Sequence, residues 1–321
     1  METRINKYRR ILVPLDGSSL AERAVPFACR LAALHGAELV LARVVEPAGN
    51  APVTAGEHSA IGAAQLYLEE LGGGLLLRQP IQTAVYYGEA VDGILEEIRL
   101  RHPDVVVMAT HGRTGLRVVL GSVADAVARR SPVPVLLVPP ACTHTWLGDE
   151  TGSAGHPLSI LAPLDGSLLA EASLDAIGQL ATGVDARVTL YGVVQLVPAL
   201  YYVNGQAGQM QDAGAEIDAL ESYLTRQAMR LSHVVDVRTQ VEFGSPGRRI
   251  AEHAHDYDID LVVMATHGRG GLSRLLLGSV ATSVLHRLEV PLLLVRARGV
   301  AERAADERVT RLPRWALAPA S

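Results

Sequence analysis

Lysine is almost missing from this chain. Lys7 is the one lysine among 321 residues, so nearly all of the 29 basic side chains are arginines. A phosphate loop of the GxxxxGK[ST] type is thereby excluded, because its lysine has no candidate. Cysteine is as scarce. Cys29 and Cys142 are the only two, and neither has a partner at CxxC spacing. That argues against a disulfide scaffold or a structural zinc site and for a reducing setting. No apolar run approaches the roughly 20 residues needed to cross a bilayer. The polar opening METRINKYRR leads straight into an apolar segment and does not read as a signal peptide. A net charge of -5 gives no electrostatic case for nucleic acid or an acidic membrane surface. What is left is a soluble, cytoplasmic chain whose 49% hydrophobic content supports ordinary buried cores.

What the chain has in place of these is a repeated unit. VVVMATHGRTGLRVVLGS at 105–122 returns as LVVMATHGRGGLSRLLLGS at 261–279. The segments leading to it recur as well: RILVPLDGSSLAERA at 10–24 matches SILAPLDGSLLAEA at 159–172, and VPVLLV at 133–138 matches VPLLLV at 290–295. Each copy alternates short apolar runs with helical periodicity. In the first copy, strands are expected at Arg10–Leu15, Glu38–Val45, Ile81–Tyr87, Val105–Ala109 and Val135–Val138. Helices are expected from Ser19 to about Leu31, over 60–71, over about 94–101 and at Ser122–Arg130, with a loop at 47–56. Ser19 with Glu22 fits a capping box, and His35-Gly36 stops the first helix. Runs such as VVVMA and VLLV, apolar throughout, suit buried parallel strands. The expectation is an α/β protein of two homologous domains, 1–140 and 158–298. Residues 141–157 form a linker and 299–321 a loosely docked tail.

The chemistry concentrates where the first and fourth strands of each copy end. In a doubly wound sheet, ligands sit outside the strand carboxyl ends where the strand order reverses. Asp16 follows the first strand and Ala109 ends the fourth; Asp165 and Ala265 do so in the second copy. Gly112 and Gly121 permit close backbone approach and unusual φ. The amides of Ser122 and Val123 open a helix, a position suited to an anion, and Ser122 adds a hydroxyl. Together these suggest a lysine-free phosphate cradle with an aspartate for a ribose or base edge. The plainer alternative stays open: Asp16 and Asp165 start helices, glycines serve turns, and Ser122 and Ser279 are helix caps.

On these residues the chain resembles a tandem universal stress protein over nearly its whole length. The family hallmark is Gly-x-x-Gly, nine residues, then Gly-Ser or Gly-Thr. The resemblance implies two Rossmann-like domains of the adenine nucleotide alpha hydrolase type. Each would be a five-stranded parallel sheet in order 3-2-1-4-5 with helices on both faces. It also implies pairing of the two domains through their fifth strands, with a homodimer as a further expectation. ATP or another adenine nucleotide, with or without Mg, is the implied ligand. By position, Asp16, Val44, Met108, Ala109, Gly112, Gly121, Ser122 and Val123 would surround it in the first domain. Asp165, Val193, Met264, Ala265, Gly268, Gly278, Ser279 and Val280 would do so in the second. Val44 and Val193 would line the adenine pocket. Two departures matter. Ala109 and Ala265 replace the leading glycine, and eight residues rather than nine separate Gly112 from Gly121. Nine separate Gly268 from Gly278, which makes the second domain the better candidate. The implied role is a cytoplasmic stress sensor or regulator, not an enzyme beyond slow ATP hydrolysis. A structural or partner-binding stress dimer is the alternative.

Other candidates are weaker. EHAHDYDID at 252–260 gathers His253, His255, Asp256, Asp258 and Asp260 without metal-ligand spacing. His111 and His267 are either general bases or turn residues. Arg113 and Arg269 either reach phosphate oxygens or are solvated. Tyr86, Tyr87, Tyr201 and Tyr202 read as half-buried aromatics. Cys29 reads as a core residue and Cys142 as an exposed linker thiol.

Overall fold

The computed structural model describes residues 7–47, 55–110, 120–140, 142, 157–195, 202–203, 206–207, 213–231, 236–266 and 277–296. The first half runs β1 (Arg10–Leu15), α1 (Ser19–Glu22), α2 (Val25–His35), β2 (Glu38–Val45), α3 (Ala55–Gly73), β3 (Ile81–Tyr87), α4 (Ala90–Arg101), β4 (Val105–Ala109), α5 (Ser122–Arg130) and β5 (Val135–Val138). The second runs β6 (Leu158–Pro163), α6 (Ala172–Ala181), β7 (Ala186–Val194), a small antiparallel pair β8 (Tyr202–Val203) and β9 (Gln206–Ala207), and α7 (Ala213–Ala228). It ends with β10 (Asp236–Phe243), α8 (Pro246–Asp256), β11 (Leu261–Ala265), α9 (Ser279–Leu285) and β12 (Leu292–Val295).

Each half is a parallel sheet in the order 3-2-1-4-5. The two join into ten strands, β10-β7-β6-β11-β12-β5-β4-β1-β2-β3. The join is antiparallel, with Leu292 opposite Leu137, Leu293 opposite Leu136 and Leu294 opposite Val135. Every residue of β5 and β12 is buried. Two strands this apolar would be open pairing templates if left at an edge. Because the join is antiparallel, the carboxyl ends of β1 and β4 open on one edge of the sheet. Those of β6 and β11 open on the opposite edge.

Alternation of side chains along the strands builds two core layers. Ile11, Val13, Leu39, Leu41, Leu136 and Leu293 face the side covered by α2, α3, α6 and α7. Leu12, Val40, Leu137, Leu161, Val262 and Leu292 face α4, α5, α8 and α9. Both layers run across the join without interruption. Carboxylates staple the strand starts together: Asp104 accepts the amides of Arg9 (2.6 Å) and Arg10 (3.0 Å), and Asp260 accepts that of Ser159 (2.8 Å).

Three sequence expectations shift. Ser18, not Ser19, caps the first helix. Its hydroxyl accepts from the Ala21 amide at 3.1 Å, while Glu22 turns away to accept from the Tyr67 hydroxyl at 2.8 Å. Pro26 then starts a second helix, so the segment is α1 plus α2. The helix expected over 60–71 begins at Ala55, because Glu57 in its first turn is anchored by the Tyr87 hydroxyl at 2.6 Å. Cys142, expected to be exposed, is buried in the α2 side of the core. Its amide donates to the Pro139 carbonyl, and its own carbonyl accepts from Arg23. Cys29 packs half-buried against the same core, and burial pushes its thiol up to about 11.

The halves also meet along α2 and α6. The Tyr8 and His35 rings meet tilted at 4.8 Å, both buried, and the Tyr8 hydroxyl has no hydrogen-bond partner among the described residues. The Lys7 ammonium reaches across to Gly183, just beyond α6. Burial first, then the Lys7 charge, lowers His35 to about 4. The unfolded chain therefore takes up a proton on His35 below about pH 6.5 while the folded chain does not, so stability falls as pH drops from about 6.5 toward 4. We expect His35→Leu to flatten the fall in melting temperature between pH 7 and pH 4.5. An unchanged slope in thermal scans would show that His35 does not govern it.

Candidate functional site

Each half closes its crevice with the same turn. In the first, Asp16 Oδ1 accepts from the Ser18 amide (2.9 Å) and hydroxyl (2.6 Å). In the second, Asp165 Oδ1 accepts from the Ser167 amide (3.0 Å) and hydroxyl (2.6 Å), and Ser167 in turn accepts from the Ala170 amide at 3.2 Å. The glycine between them has φ 80° at Gly17 and 83° at Gly166, which side-chain-bearing residues rarely adopt. The aspartate is thus held rigidly at the end of the central strand. In the first half the helix cap is Ser18, not the aspartate; in the second, Ser167 closes the turn 168–171 that leads into α6.

The fourth strand ends beside this turn, since β1 pairs with both β2 and β4. Met108 is buried and Ala109 half-buried; Met264 and Ala265 are buried. One residue further on, the Thr110 amide donates to the Val138 carbonyl at 3.0 Å, and its carbonyl accepts from Gly121 at 2.8 Å. Thr266 repeats this with Val295 and Gly278, both at 2.9 Å. The strand end and the helix start are therefore tied directly. Gly121 and Gly278 have φ of -56° and -57°, so neither is there for unusual φ; both occupy the helix cap position without a side-chain cap bond. Ser122 and Ser279 are the first helical residues, not caps, and both are exposed. The open amides at the start of α5, with the Ser122 hydroxyl, form a donor set that suits phosphate oxygens.

Val44 sits at the end of β2, packed against Gly93 and Tyr86, and Val193 is half-buried at the matching place on β7. Val123 and Val280 pack partly into the same layer. Asp16, Val44, Met108, Ala109, Gly121, Ser122 and Val123 thus gather around one sheet edge. Asp165, Val193, Met264, Ala265, Gly278, Ser279 and Val280 gather around the other. Gly112, Gly268, His111, His267, Arg113 and Arg269 lie outside the described residues.

Behind each turn stands a tyrosine that the sequence reading did not select. The Tyr67 hydroxyl donates to Glu22 at 2.8 Å, and Tyr223 donates to Glu171 at 3.5 Å. Burial, then the glutamate, pushes the Tyr67 phenol well above its ordinary range. Arg43 lies over the Tyr67 ring at 5.1 Å. The signal for these residues was a lone arginine inside the apolar run ELVLARVV and a tyrosine on the helix between the second and third strands of each copy.

The histidine and aspartate residues of 252–260 disperse. His253 is buried between Tyr191 (4.5 Å) and Tyr257 (4.3 Å), with Nδ1 3.6 Å from Glu242, and burial lowers its pKa. His255, Asp256 and Asp258 are exposed, and Asp260 is the strand staple described above. Among the described residues no group of three such side chains could hold a metal. Likewise, no helix among them is long and apolar enough to cross a membrane.

The fold is that of a doubly wound α/β protein, with an aspartate turn and a helix start at the carboxyl ends of each half-sheet. The pattern of the universal stress protein family matches twice, at residues 7–139 and 158–296, and the chain belongs to that family. A universal stress protein from Mycolicibacterium smegmatis is 28% identical over 306 residues, spanning 90% of this chain and 97% of that one. One from Methanocaldococcus jannaschii is 32% identical over 138 residues, 43% of this chain and 81% of its own. A functionally unknown protein from Pseudomonas aeruginosa PAO1 shares the fold with a TM-score of 0.63 at 18% identity, covering 97% of this chain and 100% of that one.

Ser18→Ala removes the hydroxyl that links Asp16 to the cap of α1. We expect it to lower stability by about 1 kcal/mol, the usual worth of a helix cap. Urea unfolding measures this, and an unchanged midpoint would show that the turn stands without the cap.

Proposed function

We propose that this universal stress protein binds an adenine nucleotide in its crevices and acts as a cytoplasmic stress sensor or regulator. The observation that carries the reading is the duplicated pairing of a fixed aspartate turn with a helix start held by the strand end through Thr110 and Gly121, or Thr266 and Gly278. The residues present fit such a ligand. The amides of Ser122 and Val123 and the Ser122 hydroxyl would hold phosphates in the first half, with Ser279 and Val280 in the second. Asp16 or Asp165 would meet the ribose or base edge, and Val44 or Val193 would contact the adenine. Gly112 and Gly268 belong to the same proposed set by sequence position. ATP, with or without Mg, is the proposed ligand. Bound nucleotide would supply a state-dependent charge that orders the crevice.

The second half is proposed as the more complete site, because nine residues separate Gly268 from Gly278 and eight separate Gly112 from Gly121. No lysine stands beside the loops, and rapid phosphoryl transfer relies on preplaced cations around the phosphates. Slow hydrolysis is the most this site is proposed to support. The two halves are proposed as separately binding domains, 1–140 and 158–298, within a homodimer. Small molecules released from purified protein should include an adenine nucleotide, and ATP should bind nucleotide-free protein. Since Gly278 has an ordinary φ, Gly278→Leu should be accepted by the backbone while obstructing the cradle. We expect ATP affinity at that site to fall at least about tenfold, the effect of losing ~1.4 kcal/mol. Unaltered affinity would place the ligand elsewhere, and no binding at millimolar ATP would favour a structural or partner-binding dimer.

A further inference from the structure

The ten-stranded sheet has two outer strands, β3 and β10, and they are built differently. β10 reads DVRTQVEF, and its Asp236 pairs with Arg187 at 2.9 Å and with Arg238 at 3.4 Å. Charged side chains along an edge strand discourage further pairing. β3 reads IQTAVYY, with no charged side chain and no proline. Its register with β2 is unbroken from Ile81 to Tyr87, so no bulge turns the edge away. Among the described residues β3 is paired with β2 alone.

The direction of its backbone groups follows from its two ends. The Pro80 carbonyl accepts from Leu39, and the Gly88 amide donates to Val45. Backbone groups alternate sides along a strand, so those of Gln82, Ala84 and Tyr86 also turn toward β2. Ile81, Thr83, Val85 and Tyr87 therefore turn their amides and carbonyls outward. Side chains hold the strand from both faces. Gln82 accepts from Arg101 of α4 at 2.6 Å, Thr83 accepts from Gln65 of α3 at 3.0 Å, and the Tyr87 hydroxyl donates to Glu57 of α3 at 2.6 Å. An edge already extended and anchored costs little further ordering on pairing. The exposed large apolar side chains described in the first half are Leu66 on α3, Leu76 between α3 and β3, and Leu100 on α4. They lie on the elements to either side of this strand.

Such an edge suits a second copy of the chain. A two-fold axis that brings like edge to like edge pairs β3 with β3 antiparallel and closes the assembly. The strand is flanked by opposite charges: exposed Arg78 precedes it and exposed Glu89 follows it. Antiparallel pairing sets Arg78 of each copy near Glu89 of the other, so the edge is complementary to itself. The chain already makes one contact of this kind, because β5 and β12 are uncharged strands joined antiparallel. Pairing of β3 with β10 would instead repeat without closing, and the charges of β10 oppose it. Resting on the homodimer reading above, we infer that β3 is the homodimer interface, where two ten-stranded sheets pair β3 to β3 into one continuous sheet.

The test is analytical ultracentrifugation of the full chain at low ionic strength. It compares the wild type with Arg78→Glu, Glu89→Arg, the double variant Arg78→Glu/Glu89→Arg, and Val85→Pro. The wild type should sediment as a dimer. Each single reversal sets like charges at both ends of the interface and should weaken dimerisation roughly tenfold. The double variant exchanges the charges and should regain the wild-type affinity. Val85→Pro removes an outward amide, spares the bonds to β2 and should be monomeric. Circular dichroism checks that it has folded, and the charge variants decide the matter where it has not. A dimer unmoved by every substitution, or a double variant no tighter than the single ones, would overturn the β3 pairing and leave a homodimer at another surface. A monomeric wild type would overturn the homodimer reading and this inference with it, and leave the edge to a strand of another protein.

Discussion

Two four-residue strands, β5 and β12, lie side by side and turn two small sheets into one. Their side chains are all apolar and all buried, so each strand shields the other's open edge. The antiparallel sense of this contact has wide consequences. It puts the two crevices on opposite edges of a ten-stranded sheet. It also makes the α2 and α6 layers continuous, which creates the seam where Tyr8, His35 and Lys7 meet the second half. Neither half would have a reason to bury His35 without the other.

Within each half, structure and proposed chemistry use the same atoms. The aspartate that follows the central strand holds the next turn through a serine, and the glycine between them has φ near +80°. The threonine after the fourth strand clamps the glycine before the following helix. These local bonds leave little freedom at the crevice rim. A ligand there would meet donors already in position, so little ordering cost would fall on binding. The copies are nonetheless not equivalent. One carries Arg43 and Tyr86 near the ends of β2 and β3, and the other carries Gly192 and Glu242 at the matching places. A duplicated fold has been given two different clefts.

Much of this was readable from one chain. The strand bounds in the first copy and the family rested on apolar runs, punctuation by glycine and a duplicated motif, which are local signals; the strand order followed from the family resemblance alone. Errors came where tertiary contacts outvoted local pattern. Glu22 looked like a capping partner for Ser19 but is drawn to Tyr67, a residue 45 positions away. Cys142 looked solvated because the linker around it is polar, yet it is buried against the core. The histidines and aspartates of 252–260 looked like a cluster because they are close in sequence. A helix end and a strand start send them in different directions. Arg43 was passed over because an arginine in an apolar run carries no motif.

The sequence by itself determined the repeated strand-turn-helix units. Each rests on hydrogen bonds between residues two or three apart, on the period of apolar side chains, and on glycines at fixed offsets. Only the tertiary structure decided how the surroundings of those units differ. Which face Arg43 stacks on, what fills the space beside Gly192, and which edge each crevice occupies depend on contacts between α3 or α7 and distant strands, and on the sense of the β5–β12 join. Such contacts form only when the chain closes on itself, so no local spacing records them.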